Sequence, residues 1–379
     1  MIGAGVHGAS AAFHLASFGA RPVVFDSRGV AAGPTGRSSA VCRAYYTNAF
    51  LARCARDSIE MMRNFAEITG RDDCGFRETG FLFIHPPKDR PGVERAAGVL
   101  NALGIDVTLF DANAVADKFA DLDPAGIGIA AWEAHAGHAD PVGTTRGLLG
   151  RAIELGATAQ LATDVSGLKL QPGAGVEITT RAGGRFEFDR VLIAAGPWTR
   201  ATVRKAGLDI PLSAERHFIA SFGWSGAPRL AYGVADIEHG YYMRPEGRDF
   251  FIMGELGAST EVDPDAYDEH ITFDEIAIQV TRAFARIPRL ESAESRGGWA
   301  SLYDVSPDWQ PVIGEIAPGL FVDAGTSGHG FKLAPALGKY VAELVLARDV
   351  DPGIAQFHPR RFDDARPLAA GYGAARVLG

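Results

Sequence analysis

The chain has 379 residues, 47% of them hydrophobic and 22% charged, and its 37 Lys and Arg against 46 Asp and Glu leave a net charge of −9 at pH 7. A chain of that length buries sizeable cores in one large or two modest domains, so no disulfide framework or structural metal is needed to hold it. The acidic balance argues against a nucleic-acid footprint or attraction to an anionic membrane surface, and no apolar run approaches the ~18–20 residues of a membrane span.

In chain order, a helix is predicted from near Gly5 to Gly19, a residue suited to ending helices, and residues 21–26 read as a buried strand. A second, amphipathic helix is predicted over 50–68, with Ala55, Ile59, Met62 and Ala66 on one face. Residues 81–85 form a short apolar strand. A helix over 144–155 stops at Gly156, and strands follow at 158–161, 165–170, 176–180, 185–188 and 190–194, with a turn at Ala182-Gly183-Gly184. Residues 209–305 hold further β-like segments, including 241–244 and 250–253, around one helix near 273–285. The last helix starts near Gly330 and buries Leu337, Tyr340, Val341, Leu344 and Val345 on one face. The alternation predicts an α/β or α+β protein rather than an all-α or all-β one.

Gly3-Ala4-Gly5-Val6-His7-Gly8 is a GxGxxG motif. Its first Gly makes a tight turn, its second lets backbone approach a pyrophosphate, and its third lets the helix pack on a strand. The helix start then offers free N–H groups to phosphates. A helix, a Gly stop and a strand ending in Asp26 follow, and Asp26 lies 18 residues after Gly8, where a ribose hydroxyl acceptor belongs. One part is missing: such a motif follows a strand of about five residues, and only Met1 and Ile2 precede Gly3. The first strand therefore reads as truncated, and backbone groups at the sheet centre are expected to lack partners. We read the start as internal to a longer product.

Two further segments narrow the reading: Gly33-Pro34-Thr35-Gly36-Arg37-Ser38-Ser39-Ala40-Val41-Cys42-Arg43-Ala44-Tyr45-Tyr46, and residues 319–338 with Gly325-Thr326-Ser327-Gly328-His329-Gly330-Phe331-Lys332 at their centre. Together with the GxGxxG, with Phe188-Asp189-Arg190-Val191-Leu192-Ile193-Ala194-Ala195-Gly196-Pro197-Trp198 and with residues 299–308, they run in order along nearly the whole chain. The sequence resembles the D-amino acid oxidase superfamily of flavoproteins, nearest its sarcosine oxidase, dimethylglycine oxidase and glycine oxidase branch. The resemblance implies a Rossmann-like FAD-binding domain (1–75, 138–208 and 308–379) interleaved with a substrate domain (76–137 and 209–307) built on an antiparallel sheet.

It also implies oxidation of the C–N bond of a small secondary or N-methylated amino acid, with hydride transfer to flavin and hydrolysis of the imine product. Arg43 matches the family's carboxylate-binding arginine and Lys332 the lysine that reaches substrate and flavin. Tyr242 and Tyr303 are candidates for the pocket wall. The turn Gly328–Gly330 offers N–H groups to charge on the flavin, with His329 holding the turn and Phe331 beside it. Gly3, Gly5, Val6, His7, Gly8 and Asp26 are expected on the cofactor, as are Arg37, Ser38, Ser39, Ala195, Gly196 and Trp198, and Val165 at the adenosine end. Relatives tether flavin through a cysteine just before the tyrosine of the Tyr303 segment, where Ser301 stands, or through an early histidine, where Ser38 and Ser39 stand. Non-covalent FAD is therefore expected.

Oxygen, a quinone or an electron-transfer protein is the expected acceptor; residues 250–254 lack the lysine that some relatives use to promote oxygen reduction, which points to slow reaction with oxygen and to a quinone or electron-transfer protein. His135 and His138 have no completing ligands, so no metal site is read. Cys42, Cys54 and Cys74 form no CxxC pair, and the first 25 residues lack a basic leader, so a cytoplasmic protein is expected. The alternatives are a D-amino acid or other amine oxidase or dehydrogenase of the same fold, and an inactive flavin-binding protein lacking its first strand.

Overall fold

The computed structural model describes residues 1–173, 175–224 and 230–369. At its centre, Val23–Phe25 pairs in parallel with Thr158–Gln160, and Val191–Ile193 in parallel with Leu320–Ala324, which is edged by antiparallel Val312–Ala317. Ile2 joins the two halves, bridging Phe25 on one side and Ile193 on the other. The expectation of unpaired backbone there is corrected. Ile2 N–H donates to Leu192 O at 2.9 Å and Gly3 N–H to Phe25 O at 2.8 Å, while Phe25 and Ala194 donate to Met1 O and Ile2 O at 2.8 Å. The strands that Ile2 bridges, Val23–Phe25 and Val191–Ile193, are themselves 3 residues long. Val24, Phe25, Val191, Ile193 and Leu320 have no exposure, since the sheet is covered on both faces; hence these strands read as continuous apolar runs.

The helix Val6–Ser17 packs against both Pro141–Glu154 and Gly330–Val345. Its fully buried Ala9, Ala11 and Ala12 leave room for that double contact. Pro335 lies inside the last helix and removes the N–H that would reach Phe331 O. Ser58, from the helix Ala49–Arg63, braces the same stretch: its Oγ donates to Leu333 O at 3.0 Å and accepts Ala336 N–H at 3.0 Å. On the other side, Ser10 Oγ donates to Pro335 O at 3.0 Å. The helix expected over 50–68 is broken at Asn64 into Ala49–Arg63 and Phe65–Thr69. The break turns the chain, so Phe65 is buried and Ala66, expected on the apolar face, is exposed.

Strands Val165–Leu170, Val176–Thr180 and Arg185–Phe188 form an antiparallel meander, as the sequence predicts. Among the described residues, a nine-stranded sheet draws on 81–133 and 213–305. It is antiparallel except where Phe81–His85 pairs with Gly233–Asp236. The long strands Ser213–Trp224 and Ala293–Val305 pair along almost their whole length and carry Tyr303 inward beside the Gly-rich turn before the last helix. A small sheet of Val41–Cys42, Gly137–His138 and Arg77–Glu78 lies next to the segment that carries Arg43.

Candidate active site

A cavity of about 780 Å³ is walled by residues of both the parallel and the large sheet, a size suited to a small molecule or cofactor. Its lining includes every residue proposed from the sequence except Gly8 and His329. At one end is the GxGxxG turn. Gly3 has φ +112°, and a Cβ there would lie 2.2 Å from Ala194 O; a Cβ on Gly8 would lie 2.0 Å from Gly3 O. Gly8 thus serves packing, behind the cavity wall. The helix that follows has Gly5 as its N-cap, with no side chain to spend on its first amides. Thr35, not singled out from the sequence, accepts Val6 N–H on its Oγ1 at 3.2 Å. The remaining first-turn N–H groups and the helix dipole face the cavity end where an anion is best held.

Asp26 lines this end, but its carboxylate also organises the loop. It accepts Ala4 N–H at 2.8 Å on one oxygen and Arg28 and Gly29 N–H at 2.8 Å on the other. A carboxylate has about four acceptor positions, so a ribose hydroxyl still has room. Val165 lines the cavity, while its carbonyl accepts the Lys205 ammonium. Next along, the Arg28 guanidinium lies 4.7 Å over the Trp198 ring, and Trp198 Nε1 donates to Asp265 at 2.7 Å. Arg37, expected on the cofactor, gives its guanidinium to Glu269 at 2.5 and 2.6 Å and to Tyr267 OH at 2.6 Å. Its carbonyl accepts Trp299 Nε1 at 2.8 Å. Ser38 Oγ accepts Ala40 N–H at 3.0 Å.

The far end collects the groups with chemical reach. Tyr242 OH donates to Ser39 Oγ at 2.9 Å, and Arg244 Nε to Ser39 O at 2.5 Å. Tyr303 packs on Gly328, where a Cβ would sit 2.5 Å from its ring, and stacks on His217 with centroids 3.9 Å apart. Arg43 is 3% exposed; it donates to Tyr45 O at 2.7 Å and lies 4.5 Å over the Tyr46 ring. Behind it, Glu133 accepts Ala44 N–H at 2.7 Å and Tyr45 N–H at 3.0 Å. Burial pushes the Glu133 carboxyl up to about 7, against the pull of those N–H groups and Arg43. Glu133 was not singled out from the sequence; a lone charge ending the apolar strand Ile129–Glu133 is the signal that could have found it. Lys332, in the first turn of the last helix, is 6% exposed and donates to Gly328 O at 3.4 Å. Burial, helped by the Arg43 charge, holds its pKa well below the usual lysine range. His329 is turned away: it is buried, with Nδ1 3.2 Å from Tyr46 OH. Val41, Phe81, Ala235 and Leu256 complete an apolar wall near these cations.

A family model described as DAO: FAD dependent oxidoreductase matches residues 1–344. The chain belongs to this family. It is 26% identical to peroxisomal sarcosine oxidase of Mus musculus over 96% of this chain and 95% of that one. It is 24% identical to mitochondrial dimethylglycine dehydrogenase of Homo sapiens, but spans only 44% of that longer protein. Among solved structures, L-proline dehydrogenase from P.horikoshii superposes with a TM-score of 0.86 at 25% identity, covering 97% of this chain and 98% of that one. The DAO-family fold thus accounts for the mixed α/β architecture, and FAD is the family's cofactor. The residues present fit it. The glycine cradle admits backbone close to a phosphate, and Ser301 Oγ, on a buried residue of the cavity wall, has no hydrogen-bond partner among the described residues. Among the described residues, no helix is long and apolar enough to cross a membrane.

Proposed function

We propose that this DAO-family protein oxidises the C–N bond of a small secondary or N-methylated amino acid. The observation that carries this reading is the placement of Arg43 and Lys332 together at one end of the cavity, next to an apolar wall. FAD would be held by the GxGxxG turn and the start of its helix, by residues 26–29 and 195–198, and by the turn before Lys332. When bound, it supplies the two-electron acceptor for the C–H bond beside nitrogen.

The chain's own residues prepare the substrate. The Arg43 guanidinium suits a carboxylate through paired charge-assisted hydrogen bonds, and its hydrogen bond to Tyr45 O together with Tyr46 beneath it limits its freedom. Lys332, with its lowered proton affinity, gives the same carboxylate a second donor. Val41, Phe81, Ala235 and Leu256 favour an alkyl substituent and exclude water, which strengthens the ionic contacts to the carboxylate and protects the reacting carbon from side reactions. Tyr242 and Tyr303 close the remaining wall. The strand Phe250–Glu255 carries no lysine, which favours a quinone or electron-transfer protein over oxygen as acceptor.

Sarcosine added anaerobically to the flavin-loaded protein tests the reading. Bleaching of the visible flavin spectrum is expected. A spectrum that stays oxidised with sarcosine, N-methyl amino acids and proline, yet bleaches with a D-amino acid, would overturn the substrate class.

A further inference from the structure

His7 occupies a variable position of the GxGxxG motif, where the dinucleotide reading asks nothing of the side chain. Yet both of its ring nitrogens meet acceptors. Nδ1 lies 3.0 and 2.9 Å from the two carboxylate oxygens of Asp323, and Nε2 lies 3.1 Å from Gly330 O. A neutral imidazole has one N–H and one lone pair, so it would direct a lone pair at either a carboxylate or a carbonyl. Only the doubly protonated ring satisfies both. The fit is tight: a Cβ on Gly330 would lie 3.0 Å from His7 Nε2.

The partners sit on the other half of the cofactor site. Asp323 lies in the strand Leu320–Ala324, and Gly330 opens the last helix. His7, Asp323 and Gly330 all line the cavity. We propose that His7 is a positioning residue, an imidazolium brace that holds the GxGxxG helix and the start of the Lys332 helix at the spacing FAD requires, so that cofactor retention depends on its proton. This inference concerns FAD and is independent of the substrate.

The charged groups facing the ring are Asp323 and, one step further, Asp304, whose carboxylate is itself engaged by Gly325 N–H and Thr326 Oγ1. Burial opposes the charge on His7, but the two carboxylates and the carbonyl outweigh it and raise its pKa above the ordinary histidine value. The sign follows. The brace is complete at and below the ordinary value of about 6.5 and is lost as pH rises through the higher pKa of the folded protein.

The experiment follows FAD release from the holoenzyme on dilution, by free-flavin fluorescence, between pH 6 and pH 10. The wild-type dissociation constant is expected to rise about tenfold or more across the titration of His7, as one charged hydrogen-bonded contact is lost. His7→Gln, which donates an N–H but carries no charge, is expected to bind FAD about tenfold more weakly at pH 7 with a flat profile. Ring 15N shifts of histidine-labelled holoenzyme read the proton directly, and an imidazolium signature for His7 at pH 7 is expected. If His7→Gln does not accumulate as folded protein, Asp323→Asn takes its place and is expected to move the wild-type profile by at least about one pH unit toward acid. A neutral His7 ring at pH 7, a His7→Gln protein with wild-type affinity and pH profile, or an unmoved Asp323→Asn profile would each overturn the proposal.

Discussion

Arg43 and Lys332 differ in what supports them, and substitutions should separate the two. Arg43 has its own partners, with Tyr45 O at 2.7 Å and the Tyr46 ring at 4.5 Å. Arg43→Ala is expected to raise KM for an amino acid by about 100-fold, the loss of about 3 kcal/mol of charge-assisted hydrogen bonding, and Arg43→Lys to recover only part of it because a point charge lacks the fork. Steady-state kinetics checks both. Among the described residues, Lys332 has one long hydrogen bond and no carboxylate partner to offset burial of its amine. Its depressed pKa means that the unfolded chain holds the proton more tightly, so this residue costs stability progressively as pH falls below the ordinary lysine value. Lys332→Met keeps the volume and removes that cost. A melting temperature at neutral pH no lower than the wild type is expected, together with a large loss of kcat/KM. Lower stability in that variant would show that the amine is satisfied in the folded protein.

At the scale of elements, the junction of three helices around Pro335 governs where Lys332 sits. The proline removes one helical N–H, and Ser58 ties the same stretch to its neighbour, donating to Leu333 O and accepting Ala336 N–H. Ser58→Ala leaves both buried groups without that partner and is expected to destabilise the protein by about 1–3 kcal/mol, read by denaturant unfolding, with FAD retention weakened in parallel. An unchanged midpoint would mean that the two helices adjust freely. Elements of this kind differ in how well they can be read from sequence. The strands at 165–170, 176–180 and 185–188 have the residues that the alternation and turn residues predict. The helices Arg90–Ala102 and Ala112–Lys118 were not predicted: the first contains Pro91, Gly92 and Gly98, which weaken its local signal, and it is stabilised by packing its Val93, Ala97 and Leu100 into the core. The break at Asn64 was missed for a related reason, since the apolar spacing on either side of it is compatible with one helix.

For the molecule as a whole, the three cysteines bear on how FAD is held. Cys42, Cys54 and Cys74 are fully buried, none lines the cavity, and burial pushes all three thiols up, away from the reactive thiolate. Acid precipitation of the holoenzyme is expected to leave FAD in the supernatant; flavin that stays with the pellet would establish a covalent link. The cofactor motif and the family were legible in the sequence by itself, and Arg43, Lys332, Tyr242 and Tyr303, proposed there for the substrate pocket, all line the cavity. Glycine spacing and side-chain periodicity are set by short-range sterics, and Arg43, Lys332 and Tyr303 stand in segments that resemble the family's. Tertiary structure alone decided how those residues are held. Asp26 is bound to its own loop, Arg37 is taken up by Glu269, Glu133 lies behind Arg43, and His7 meets Asp323 across 316 residues of chain. No local pattern encodes such pairs, because the burial that gives a buried charge its partner, and shifts its proton affinity, exists only once distant strands and helices have packed together.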